Sequence, residues 1–247
     1  MTKLVEIWPG VMAHASGGLW MESSRTLALA DLHLGYGWAQ RRRGELGPLT
    51  DGEARLNLLR VLDELQPLKL LLVGDIVHAS RPGKAEARHI EKVLEELADR
   101  TELIGIRGNH DRGFDRDFEG LGLHLVETWR EDELVIAHGD RLPDELAGRL
   151  AIGHLHPAIG LEDAAGVKQR VPAFLVAGPV VVLPAFSPFA AGLDVWRSMP
   201  VEIERLSRGE APEVIAATGA RVVKLGPLRR LESPARGSRP RDYRASK

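Results

Sequence analysis

Apolar residues fall along the chain in short runs. Leu27-Ala28-Leu29-Ala30, Leu70-Leu71-Leu72-Val73, Leu103-Ile104-Gly105-Ile106, Leu134-Val135-Ile136-Ala137, Leu150-Ala151-Ile152, Phe174-Leu175-Val176-Ala177 and Val180-Val181-Val182-Leu183 carry no alternating polar residue. Each therefore reads as a strand covered on both faces. Elsewhere the period lengthens. Leu58, Val61, Leu62 and Leu65, then Ile90, Val93, Leu94 and Leu97, recur at helical spacing. Thr50-Asp51-Gly52-Glu53 has the form of a capping box ahead of the first of these helices, and Pro67 stops it. The first half thus reads strand–helix–strand, which predicts parallel strands joined by crossover helices. The second half reads strand after strand, with Gly178-Pro179 turning an antiparallel hairpin. The pattern is that of a layered α/β protein.

Composition narrows the class. With 247 residues the chain is one large domain or two small ones. It contains no Cys, which excludes disulfides, thiolate metal sites and thiol catalysis together. No apolar run approaches the ~18–20 residues of a membrane span. The start, Met1-Thr2-Lys3 into Val5-Glu6-Ile7, lacks the apolar core of a signal peptide, so a cytoplasmic protein is expected. The formal charge of −2 is unevenly spread: from Arg229 to Lys247 seven Lys/Arg oppose only Glu232 and Asp242. The expected division is a folded domain over residues 1–225 and a basic, disordered tail over 226–247. That tail is either a solvated end or an electrostatic arm for nucleic acid.

The chemistry lies at the strand ends. Asp31-Leu32-His33 follows the run ending at Ala30, and Gly74-Asp75 follows Val73. Arg107-Gly108-Asn109-His110-Asp111 follows Ile106, His138-Gly139-Asp140 follows Ala137, and Gly153-His154-Leu155-His156 follows Ile152. Taken singly, each is an ordinary turn or polar loop. Together they hold five of the nine His and one of the two Asn of the chain, each directly after an apolar run. Carboxyl ends of neighbouring strands are where layered α/β folds bind ligands. Carboxylate, imidazole and amide oxygen make a mixed O/N donor set that suits manganese first, with iron, zinc, nickel or cobalt as alternatives.

This order of motifs resembles the calcineurin-like metallophosphoesterase superfamily, from Asp31 to His156. The resemblance implies a four-layer α/β/β/α sandwich of two mixed sheets flanked by helices, with two divalent metal ions at the strand ends. It implies that Asp31, His33 and His156 bind one ion, that Asn109, His138 and His154 bind the other, and that Asp75 bridges them. Alternation along an extended strand end would deliver His154 and His156 to opposite sides. The implied reaction is attack of metal-bound hydroxide on a phosphate ester. His110 is the expected general acid, and Asp111 is expected to orient its ring, or else to cap a turn.

Asp31-Leu32-His33-Leu34-Gly35-Tyr36, Gly74-Asp75-Ile76-Val77-His78 and Leu183-Pro184-Ala185-Phe186 further resemble the ICC-like subgroup, which includes DNA-ligase-associated phosphoesterases. Residues 200–247 depart from that type, so DNA-repair partners rest on analogy alone. Arg112, His78 and Arg41, the last from the Arg41-Arg42-Arg43 run, are the candidate substrate contacts. A phosphodiesterase acting on nucleic acid is the leading reading. A small-molecule phosphoesterase for nucleotides or phosphomonoesters is the alternative. A non-catalytic interaction module is disfavoured, since a scaffold needs none of these ligands.

Overall fold

The apolar runs lack polar alternation because they form the inner strands of two stacked sheets. The computed structural model describes residues 2–45, 51–143, 145–162, 168–190, 192–193, 195 and 201–228. Thr50 of the expected capping box and the basic tail from Arg229 onward lie outside the described residues.

The first sheet runs in chain order: β1 (Leu4–Trp8), β2 (Val11–His14), β3 (Leu19–Met21), β4 (Thr26–Ala30), β5 (Lys69–Val73), β6 (Glu102–Ile106) and β7 (Leu125–Val126). Its first four strands are an antiparallel meander, and β4 to β7 are parallel. Helices α1 (Tyr36–Arg42) and α2 (Asp51–Leu65) connect β4 to β5, α3 (Lys84–Ala98) connects β5 to β6, and the short α4 (Phe114–Asp117) precedes β7. The second sheet contains β8 (Thr128–Glu131), β9 (Leu134–Ala137), β10 (Arg149–Ile152), β11 (Ala158–Glu162), β12 (Lys168–Ala177), β13 (Val180–Val182), β14 (Glu213–Ala217) and β15 (Val222–Pro227), with α5 (Val201–Leu206) ahead of β14. Its order is β15-β14-β12-β13-β10-β9-β8, with β11 paired to β12. Strands β9, β10 and β13 are parallel, and β12–β13 is the antiparallel hairpin expected at Gly178-Pro179.

Period-two alternation sorts each inner strand between two apolar cores. Ala28, Ala30, Leu71 and Val73 face Ile136, Ala151, Phe174 and Val181 between the sheets. Leu27, Leu29, Leu70 and Leu72 face outward, onto Leu58, Val61 and Leu62 of α2 and Ile90, Val93, Leu94 and Leu97 of α3. On the far side, Leu150, Ile152, Val180 and Val182 pack with Ile203 and Leu206 of α5. The layers are therefore α/β/β/α, two mixed sheets between helices. The short or one-sided strands β1–β3, β7, β8 and β15 carry no apolar run longer than three residues, which is why the hydrophobic pattern does not single them out. β11 and β14 do carry apolar runs, Ala158-Ile159-Gly160-Leu161 and Val214-Ile215-Ala216-Ala217, which the sequence reading passed over. β15 carries the second sheet two residues past position 225. No helix among the described residues is long and apolar enough to cross a membrane.

Candidate metal centre

Three parallel strands of the first sheet and two of the second end at the same place. Beyond the end of β4 and β5 the chain segments stay side by side: His33 N–H donates to Asp75 O (2.9 Å), Leu34 N–H to Ile76 O (2.9 Å) and His78 N–H to Leu34 O (2.8 Å). The two sheets are tied together at this edge. Ala30 bridges Ala185, and Phe186 N–H donates to Ala30 O at 2.7 Å. The His154 N–H of the second sheet donates to Asp31 Oδ2 of the first at 2.8 Å.

The backbone here is unusual. Of the nine described non-glycine residues with positive φ, five are Asp31, His33, Asp75, His154 and His156, at +39° to +63°. Left-handed backbone costs an L-residue energy and clusters where the surrounding structure imposes it. It also corrects the expectation for His154 and His156. They are not alternating positions of an extended strand. Each sits in a left-handed turn, and the turns send His154 towards His138 and His156 towards Asp31. Glycines let the strand ends close on one another. A Cβ on Gly74 would lie 1.9 Å from His138 Nδ1, one on Gly108 2.1 Å from Asp75 N, and one on Gly153 2.5 Å from Asp31 Oδ2.

Three groups of possible metal ligands result, each with ligand atoms within 4.8 Å of one another: the clusters Asp31, His33 and His156, and Asp75, His138 and His154, which hold expected ligands only, and a third group in which His33 meets His78 and His110. His138 Nε2 lies 3.0 Å from Asn109 Oδ1, 3.2 Å from His154 Nδ1 and 3.6 Å from Asp75 Oδ1. Asp31 Oδ1 lies 3.4 Å from His156 Nε2 and 3.6 Å from His138 Nδ1. The structure thus brings together all seven expected ligands. Buried Asp31 Oδ1, His33 Nδ1, His138 Nδ1 and His156 Nε2 lack a hydrogen-bond partner among the described residues. Burial, reinforced by the neighbouring imidazoles, pushes His33 down to about 3, and burial also lowers His138. Neutral imidazoles and unpaired carboxylate oxygens are the form in which these groups bind cations. The donor set fits two divalent metal ions.

His110 borders this cluster. Its Nδ1 lies 2.7 Å from the His78 carbonyl, which can only accept, so Nδ1 carries the hydrogen. Nε2 points back to the cluster, 4.0 Å from Asp75 Oδ2, and the His110 N–H donates to Asp75 Oδ1 at 2.8 Å. Asp111 does not orient the ring, contrary to the reading from its position in sequence. Its fully buried carboxylate accepts from the N–H groups of Ile76, Val77 and Gly108. His110 and Asp111 begin a tight helical turn, where adjacent side chains point apart. Burial raises the Asp111 carboxyl to about 6 against the lowering effect of the Val77, Gly108 and Ile76 N–H groups.

The candidate substrate contacts separate. His78 and Arg112 line a cavity beside His110, together with Tyr36, Arg42, Arg43 and Arg81. Arg41 is absent from that lining; its guanidinium sits 4.9 Å from the Trp38 ring centroid, one helical turn back. Sequence reasoning named the run Arg41-Arg42-Arg43 but singled out Arg41 from it instead of Arg42 and Arg43, and it missed Arg81. Arg81 lies three residues past His78 in a loop without any motif.

Comparison with known proteins bears on the fold and the family. No curated protein sequence matches the chain. Among solved structures, the nuclease MPE of Pseudomonas putida superposes with a TM-score of 0.69 at 24% identity, covering 91% of this chain and all of that one. The E. coli phosphoesterase Yfce aligns with a TM-score of 0.39 at 16% identity, over 76% of this chain and 86% of that one. The family model for calcineurin-like phosphoesterases matches residues 24–163, which contain every ligand of both clusters. With that match over more than half its length, the chain belongs to the calcineurin-like phosphoesterase family.

Proposed function

We propose that the protein is a dinuclear metal-dependent phosphodiesterase. The carrying observation is the convergence of seven O/N donors, several with buried unpaired atoms, beside a histidine whose one free ring nitrogen faces them. Asp31, His33 and His156 would hold one cation, Asn109, His138 and His154 the other, and Asp75 would lie between them. Bound there, the cations would neutralise charge on the phosphate and make water acidic enough to react near neutral pH; manganese is the first ion to test.

The protein's own part is acid catalysis and positioning. Water gives one proton to solvent as its oxygen joins phosphorus, the bond from phosphorus to the leaving oxygen breaks, and His110 gives that oxygen its Nε2 proton. The His78 carbonyl holds the opposite Nδ1–H, which fixes the ring plane and aims Nε2 at the ligand clusters. The Asp75 carboxylate fixes the His110 backbone at the same time. The Pseudomonas putida neighbour is described as a nuclease, which makes nucleic acid the first natural polymer to assay here.

The test is a panel with added manganese: bis-p-nitrophenyl phosphate, p-nitrophenyl phosphate, cyclic nucleotides and single-stranded DNA. Hydrolysis of the diesters is expected; hydrolysis of monoesters alone favours the small-molecule alternative and overturns this reading. His110→Ala should retain two metal ions by elemental analysis and lose ~100-fold or more in kcat on esters with poor leaving groups. A variant with both metals and wild-type turnover of such an ester would remove His110 from the role.

A further inference from the structure

Asn109 and His110 have a second face. Both line a cavity of about 710 Å³ that opens beside the metal-ligand clusters. Its wall carries Arg42, Arg43, Arg81 and Arg112, and among the described residues no Asp or Glu lines it. Arg42 is compensated by an ion pair with buried Glu86. Arg43, Arg81 and Arg112 make no ion pair with a described residue.

Three guanidinium groups without an ion pair among the described residues, gathered around one concave space, are best matched by an anion with several acceptor oxygens. The scissile phosphate does not meet that need, because its charge belongs with the cations of the neighbouring clusters. The cavity adjoins His110, hence the side from which the leaving oxygen receives its proton. The opposite flank is different. A cavity of about 390 Å³ next to His156 is lined by Pro157, Pro172, Pro188 and Phe189, and its one arginine, Arg170, donates Nη1–H to the Gly192 carbonyl. Tyr36, from the first cavity, stacks on Phe189 of the second with ring centroids 5.4 Å apart.

We propose that the arginine cavity binds a second phosphate, carried by the leaving group, so that esters with phosphorylated leaving groups are the preferred substrates. This rests on the phosphodiesterase reading above. The second phosphate is held and not cleaved; bond breaking and proton transfer remain as described. Such a leaving group occurs in a nucleic-acid strand and in small dinucleoside polyphosphates alike.

The experiment compares kcat/KM for the dithymidine phosphodiester bare, with a terminal 5′ phosphate and with a terminal 3′ phosphate. One of the phosphorylated forms is expected to exceed the bare form by ~10-fold or more, the worth of one charge-assisted hydrogen bond. In Arg43→Gln and Arg81→Gln that ratio, taken within each protein, should fall towards one. Calorimetric binding of thymidine 3′,5′-bisphosphate to the metal-free protein should weaken in the same variants, a readout independent of turnover. Single-stranded oligothymidylate and diadenosine tetraphosphate distinguish the sources, since only the true source should show the arginine dependence. Equal turnover of the three dithymidine forms, or bisphosphate binding indifferent to the arginines, overturns the proposal while leaving a phosphodiesterase. Failure to hydrolyse either bis-p-nitrophenyl phosphate or the bare dinucleotide instead overturns the underlying reading.

Discussion

Asp111 holds the loop after β5 through three backbone N–H groups, at 2.9 Å from Gly108, 3.1 Å from Val77 and 3.3 Å from Ile76. These bonds join the loop that carries Asp75 to the loop that carries Asn109 and His110. Both carboxylate oxygens are used, so an amide cannot replace them: one side of Asn would present a donor to a donor. Asp111→Asn is therefore expected to destabilise the fold by about 1–3 kcal/mol, seen as a lower midpoint in urea with an unchanged slope. If Asp111 acted on the His110 ring instead, the same substitution would move the pH–rate profile and leave the urea midpoint in place. His14 is a second buried polar residue with a testable consequence. It is 2% exposed, and its ring reaches Ser16 Oγ at 2.9 Å and Glu64 Oε1 at 3.3 Å. Burial lowers its pKa, against the raising effect of Glu64. A folded-state pKa below the unfolded value of ~6.5 means that the unfolded chain binds the proton more readily. Stability is then whole above that pH and declines as pH falls through it towards the folded value. Melting of the metal-free protein between pH 7.5 and 5 should show a steeper fall for the wild type than for His14→Gln. Parallel curves would show that His14 contributes nothing to the acid sensitivity.

At the scale of elements, the sharpest constraint is the closeness of the strand ends. Gly74 follows β5 with φ of +68°, and a Cβ there would occupy the position of the His138 ring beyond β9. Gly74→Ala must therefore displace one sheet's ligand from the other's. We expect it to weaken binding of the cation held by His138, His154 and Asn109 more than the other, so that titration calorimetry resolves one tight and one weak site. Two equally weakened sites would point to general unfolding of the edge instead. The same glycines explain what was and was not legible in the sequence. β4, β5, β6, β9 and β10 stood out because their residues divide between two apolar cores, and their ends marked all seven ligands. The left-handed turns at His154 and His156 were illegible, because they depend on contacts with Asp31 of the opposite sheet, far away in sequence. Arg41 was misplaced for a related reason. Three consecutive arginines on a helix point in three directions, and only the packing of Trp38 decides which one turns away.

In the molecule as a whole, the two sheets share one apolar core and meet by hydrogen bonding both beside β15, where Val222 N–H donates to Thr2 O and Gly219 N–H to Ala15 O, and at the edge that carries the ligands. There, Ala185 pairs with Ala30 and the His154 N–H donates to Asp31. Each ligand cluster draws residues from both sheets: Asp31 and His33 with His156, and Asp75 with His138 and His154. A cation in either cluster therefore cross-links the sheets and offsets the cost of burying Asp31 and Asp75, which are 0% and 3% exposed. The unfolded chain cannot assemble these donors, so binding free energy becomes folding free energy. At a free metal concentration 100 times the dissociation constant, the gain is about 2.7 kcal/mol per site. Stripping metal with a chelator should lower the melting temperature by ~2–4 °C for each ~1 kcal/mol lost in a chain of this size, and manganese should restore it. In Asp31→Asn the response to manganese should shrink, because Asp31 Oδ1 is an unpaired acceptor shared by His156 and His138. The metal-free variant, by contrast, should melt no lower than the metal-free wild type, since an amide is cheaper to bury without a cation than a carboxylate. If chelation leaves the wild-type melting temperature unchanged, the cations do not join the two sheets, and the edge is held by its hydrogen bonds alone.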